Sequence, residues 1–112
     1  MSVNSPPEFG FALLTNATGL HARPSVKLTQ LAKSFAASVE LGLSAQGPWL
    51  DAKRPVQVMR AKANKGETLY FRASGADARQ AIAALVALVD GRFGEAEETA
   101  APTIAEGAES DD

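Results

Sequence analysis

His21 is the one histidine of the chain, in the run Gly19-Leu20-His21-Ala22-Arg23-Pro24. An imidazole nitrogen is a nucleophile, and its surroundings decide what it can attack. Pro24 would break a helix interior but is tolerated in a first turn, so a helix is expected to begin just before it, close to His21. First-turn amides have no partner within the helix and lie at the positive end of its dipole. Pro24 donates nothing, which leaves the amides of Ala22 and Arg23, and Arg23 adds a planar cation. Free amides, dipole and guanidinium together favour an anion beside the ring. A nucleophilic imidazole in an anion pocket is what reversible phosphoryl capture requires: the added charge of about −2 meets donors already in place. The same residues also suit a plainer arrangement, with His21 as a structural residue at the helix start and Arg23 as a solvated surface charge.

Composition excludes several other chemistries. The 112 residues make about one small domain. There is no cysteine, so no disulfide framework and no thiolate zinc site. With one histidine as well, no metal and no cofactor are expected. The chain has no second histidine for a catalytic triad and no phosphate-cradling Gly-x-x-x-x-Gly-Lys run. No apolar run approaches the roughly 18 residues that span a bilayer. The start, Met1-Ser2-Val3-Asn4-Ser5-Pro6-Pro7, has neither a basic nor an apolar signal region, so a cytoplasmic protein without membrane insertion is expected. The net charge of −2 conceals a split. Residues 1–94 carry 11 bases and 6 acids, whereas residues 95–112 carry 7 acids and no base.

The elements that must hold His21 follow from periodicity. Residues 1–7 read as a flexible leader, because adjacent prolines oppose helix and central strand. Phe9, Phe11 and Leu13 alternate with Gly10, Ala12 and Leu14, a strand ending near Asn16. Asn16-Ala17-Thr18-Gly19 is turn chemistry. Leu28, Leu31, Ala32 and Phe35 form one face of a helix running from Ala22 to about Ala36. Val39, Leu41 and Leu43 give a second strand, which turns through Ser44 to Pro48 into a short third strand at Trp49 and Leu50. Pro55 opens a short second helix that runs to Lys62 or Ala63, with Asn64 or Gly66 as its left-handed stop. Thr68 to Ala73 alternate as a fourth strand. Asp77 and Gln80 have capping-box spacing before a third helix, with apolar stripe Ile82, Leu85, Val86 and Val89, ending near Asp90-Gly91. Phe93 is expected to fold back onto the core.

The order β-α-β-β-α-β-α favours an α+β domain over residues 8–94, with antiparallel pairing and helices on one face. Residues 95–112 are acid- and alanine-rich and are expected to be disordered; a solvated extension of the third helix is the rival reading.

Gly-Leu-His-Ala-Arg-Pro, placed after a strand and a turn, resembles the active-site motif of HPr, the histidine-containing phosphocarrier family of the phosphoenolpyruvate-dependent phosphotransferase system. The similarity runs from about Phe9 to Glu95 and takes in Asn16-Ala17-Thr18-Gly19, Asn64-Lys65-Gly66-Glu67 and Phe93-Gly94-Glu95. The resemblance implies an open-faced β-sandwich, a four-stranded antiparallel sheet covered on one face by three helices. It implies that His21 is phosphorylated on Nδ1 by phospho-enzyme I and passes the group to a IIA domain or related acceptor. It gives Arg23 the role of pairing with the phosphate, Ala22 and Arg23 the backbone amides, and Pro24 the fixing of the helix start. Such a protein is a stoichiometric intermediate rather than an independent enzyme. Sugar uptake, a nitrogen-related system and supply to a dihydroxyacetone-kinase phosphoryl-donor component all use HPr-like proteins, and the branch stays open.

The chain departs from the family at the second helix. In many Gram-positive members this helix begins at a regulatory serine, whereas Arg54 stands here, and no Ser or Thr occurs from Asp51 to Glu67. No serine-linked regulation is expected at this site. Gln57 also replaces a family glycine. Pro55, Val56 and Met59 fall on one side of a helical turn. They suit either core packing or an exposed apolar patch that grips partners, and Met accommodates several. Arg23, Lys27, Arg54 and Arg60 would form a basic rim that speeds encounter with acidic partners. Interfaces of this kind are small and transient, and a monomer is expected. The rival class is a small α+β regulatory binding module in which His21 is structural. Nucleic acid is not expected as a partner, because the bases are scattered and Trp49, Tyr70 and the phenylalanines lack a stacking motif.

Overall fold

A computed structural model describes residues 6–94. The elements are β1 (Glu8–Leu13), α1 (Ala22–Lys33), β2 (Ser38–Gly42), β3 (Leu50–Asp51), α2 (Pro55–Arg60), β4 (Thr68–Ser74) and α3 (Ala78–Asp90), followed by a 3-10 turn at Arg92–Gly94. The four strands form one antiparallel sheet in the order β1-β4-β2-β3. β4 therefore lies inside the sheet, paired from Glu8↔Ala73 to Leu13↔Thr68 on one side and from Ser38↔Ser74 to Gly42↔Tyr70 on the other. Its alternation resolves into two faces. Leu69, Phe71 and Ala73 are buried, while Tyr70 and Arg72 lie on the other face, half-buried.

The three helices cover the first face. Leu28 and Ala32 of α1, Val58 of α2, and Ala81, Leu85 and Val89 of α3 are buried with Leu69, Phe71 and Phe93 in one core. The result is the α+β open-faced sandwich that the sequence implied. β1 shows how the faces were chosen. Ala12 is buried, whereas Phe9, Phe11 and Leu13 are 60%, 68% and 49% exposed. Gly10 sets this orientation, because a Cβ there would lie 2.5 Å from Ile82 Cγ2, so only a bare backbone lets α3 approach. The open face is held by cross-strand pairs. Phe11 stands 6.0 Å from Tyr70, Arg72 lies 4.4 Å over the Trp49 ring, and Arg72 Nε donates to Glu40 Oε1 at 2.6 Å.

Three local expectations are corrected. Asp77 is the N-cap of α3 but makes no side-chain cap bond, so there is no capping box with Gln80. Its carboxylate instead accepts the amides of Ala36 (2.9 Å) and Ala37 (2.8 Å), tying the start of β2 to α3. α1 stops at Lys33 rather than near Ala36, closed by Ser34, whose amide returns to the Leu31 carbonyl at 3.0 Å. α2 ends at Arg60, and the residue that turns left-handed after it is Lys62 (φ 51); Gly66 (φ 95) belongs to the next turn. Phe93 is fully buried, and its carbonyl accepts Lys27 Nζ at 2.6 Å. The expectations for residues 95–112, and for most of the leader, lie outside the described residues.

Candidate functional site

The turn before α1 is built to present His21. Asn16 is buried and its Nδ2 donates to the Gly19 carbonyl at 2.8 Å. Gly19 takes φ 62, and a Cβ on it would lie 2.7 Å from the Ala63 carbonyl, so glycine alone fits the close approach of the two loops. Leu20 donates to that same carbonyl at 2.9 Å. Ser25 is buried and its hydroxyl donates to the Leu20 carbonyl at 3.2 Å, closing the turn onto the helix.

His21 follows as the N-cap of α1, with extended backbone (φ −85, ψ −164) and no side-chain cap bond. Its carbonyl accepts Ser25 N–H at 2.9 Å, the first bond of the helix. Its ring is exposed and makes no hydrogen bond among the described residues. Ala22 and Arg23 occupy the first helical positions, where amides have no intrahelical acceptor, and Pro24 is buried beneath them. Arg23 is exposed and makes no ion pair among the described residues. The His21 ring and the first-turn positions of Ala22 and Arg23 thus share one helix start.

A cleft of about 460 Å³ opens beside the ring, lined by Leu20, His21, Ala22, Met59, Lys62 and Asn64. Met59 reaches it from α2 and is 37% exposed. Lys62 and Asn64 are members that the sequence did not single out. The Asn64 turn was legible, but its contact with residues some 40 positions earlier depends on the β1–β4 pairing. The signal that could have found it is Gly19, whose need for close approach names no partner by itself.

The second helix carries the remaining candidates. Val58 is buried, which sends Val56 outward at 62% exposure and leaves Pro55 half-buried. Pro55, Val56, Arg54 and Arg60 line a second cleft of about 740 Å³, shared with Lys33 of α1 and with Lys53. Arg54 is the N-cap of α2, and its Nε pairs with Asp51 at 3.3 Å. Gln57 accepts the Asp51 amide through Oε1 at 3.1 Å, which gives this residue a structural bond. Lys27 stands apart from the rest of the expected rim, because its ammonium is bound to the Phe93 carbonyl.

A family model described as "PTS HPr component phosphorylation site" matches residues 12–90. The phosphocarrier protein HPr of Cupriavidus necator is 44% identical over 84 residues, 75% of this chain and 92% of that protein. The phosphocarrier protein NPr of Escherichia coli (strain K12) is 33% identical over 82 residues, 73% of this chain and 90% of that one. Among solved structures, an HPr from Thermoanaerobacter tengcongensis superposes with a TM-score of 0.73 at 30% identity, covering 80% of this chain and 98% of the other.

Proposed function

The chain belongs to the PTS-HPr family and is a phosphocarrier of the phosphotransferase system, and we propose that His21 is the residue that bears the phosphoryl group. One observation carries this: His21 stands at the N-cap of α1 without spending its ring on the cap, beside two first-turn amides and an exposed Arg23 that makes no ion pair among the described residues. A histidine serving as the helix cap would engage its ring with a first-turn amide, and this one does not, which disfavours a capping role for it.

Nδ1 lies nearer the backbone than Nε2, so a phosphoryl group on Nδ1 would sit within reach of the Ala22 and Arg23 amides. Nδ1 attacks phosphorus with its lone pair. The Nδ1–P bond forms as the donor's bond to phosphorus breaks, and the donor leaves with that electron pair. The new charge is met by the two amides and by Arg23, which can bind it bidentately. The second transfer reverses these roles toward the acceptor. Phospho-enzyme I is the proposed donor, with a IIA domain or a dihydroxyacetone-kinase component as acceptor. Val56 and Met59 supply the apolar grip, and Arg54 and Arg60 the charged rim. No helix among the described residues is long and apolar enough to cross a membrane, and the cytoplasm is the proposed site of action. Arg54 at the start of α2 leaves no hydroxyl there for phosphorylation.

Incubation with enzyme I and labelled phosphoenolpyruvate tests the assignment. The parent chain is expected to take up acid-labile, base-stable label, and His21→Ala none. Arg23→Ala is expected to fold and to transfer about 10- to 1000-fold more slowly, as when a stabilising donor is removed. An unlabelled parent, or a labelled His21→Ala, refutes the assignment.

A further inference from the structure

The larger cleft, between α1 and α2, carries Lys33, Lys53, Arg54 and Arg60, with Asp51 as the one acid on its wall. Lys53 is bound to the Phe35 carbonyl at 2.8 Å and Arg54 to Asp51. Lys33 and Arg60 are exposed and make no ion pair among the described residues. Exposed Val56 adds an apolar floor. The cleft is thus an acceptor for an acidic chain with some apolar content.

This chain has such a segment. Residues 95–112 carry 7 acids and no base, together with alanines and Ile104. The described fold ends at Gly94, one residue beyond the Phe93 carbonyl held by Lys27. A Cβ on Gly94 would lie 3.6 Å from that ammonium, so the last described residue stands against α1. Lys27 and Lys33 are about 9 Å apart along α1 at the usual helical rise. Eighteen residues reach roughly 60 Å when extended, so the cleft is well within range.

We propose that the acidic segment 95–112 occupies the cationic α1–α2 cleft in cis and competes there with the acidic partners that dock beside His21. The competition, though not the contact, rests on the phosphocarrier assignment. A short tether supplies an effective concentration of about a millimolar. A segment binding with an affinity near 1 mM is then about half seated, and one near 0.1 mM about nine-tenths seated. The apparent affinity for a partner falls about two- to tenfold accordingly.

The test compares the full chain with a full-length variant carrying Gln at Glu95, Glu97, Glu98, Glu106 and Glu109. In about 20 mM salt, amide chemical shifts of Lys33, Arg54, Val56 and Arg60 should differ between the two, and the difference should vanish near 0.5 M salt, where the screening length is about 4 Å. The variant's KM for phospho-enzyme I should be about two- to tenfold lower at low salt, with kcat unchanged. Superposable spectra, or differences confined to residues outside the cleft, overturn the docking. Equal KM values overturn the competition. Loss of labelling at His21 with the shift differences intact would remove the phosphocarrier assignment and leave the contact standing.

Discussion

The side chain of His21 makes no cap bond, and neighbouring residues supply the rigidity that a cap would have given. Asn16 Nδ2 holds the Gly19 carbonyl at 2.8 Å, and the Ser25 hydroxyl holds Leu20 at 3.2 Å. The ring proposed as the nucleophile is left exposed, without a hydrogen bond among the described residues, on a backbone held from both sides. His21, Arg23 and Pro24 were legible from sequence because they are local to one turn. Lys62 and Asn64 were not, because a long-range loop contact brings them there. Asp77 shows the opposite failure. Its spacing from Gln80 suited a local cap, but two unpaired amides at Ala36 and Ala37 competed for the carboxylate and won it. Those bonds, that to Ala36 foremost, hold its pKa below the ordinary carboxylate value, against the opposing effect of partial burial. A carboxyl lowered in the folded state contributes stability above its unfolded pKa and loses it as pH falls through the folded one. Urea midpoints of the parent should therefore drop as pH is lowered from about 5 toward 2.5, while Asp77→Asn starts lower at pH 7 and is flatter over that range. Parallel profiles would remove Asp77 as the source.

Among the elements, β1 was readable as a strand but not as to which face it buries. Alternation offers two faces, and hydrophobicity alone would turn Phe9, Phe11 and Leu13 inward. Gly10 decides otherwise, because α3 packs too close for a side chain there: Ile82 already stands where a Cβ on Gly10 would go. The aromatic side chains are left on the open face, where Phe11 meets Tyr70. Burial therefore ranks the strand residues against their hydrophobicity. Phe11→Ser is expected to cost below about 1 kcal/mol, since that ring is already largely in water. Leu69→Ala, one strand away but fully buried, should cost about 2–5 kcal/mol. Denaturant midpoints with unchanged slopes would measure both. A Phe11 variant as damaged as the Leu69 variant would mean that the open face carries structural weight. The helices were more legible in type than in length. α2 ends where Lys62 turns left-handed, which no glycine or proline in the sequence marked.

Across the whole molecule, charge is segregated: 11 bases and 6 acids in residues 1–94 and 7 acids in residues 95–112. A near-neutral total of −2 would give little long-range steering, but a partner meets the field of one face rather than the total. Arg54 and Arg60 were expected in one basic rim from the sequence, whereas Lys33 of α1 was not, and packing brings it to the same cleft. Replacing the five tail glutamates leaves only Asp111 and Asp112 to oppose the cationic face. Encounter of that variant with an acidic partner should then be steered, with kcat/KM falling about tenfold between roughly 0.02 and 0.5 M salt as the screening length drops from about 20 to 4 Å. The parent should show a shallower fall, since salt releases its own acidic segment as it weakens the partner's attraction. Stopped-flow transfer at several ionic strengths measures both slopes. A flat dependence in the variant would mean that the cations of α1 and α2 do not guide the partner, and would leave the apolar pair Val56 and Met59 as the source of docking.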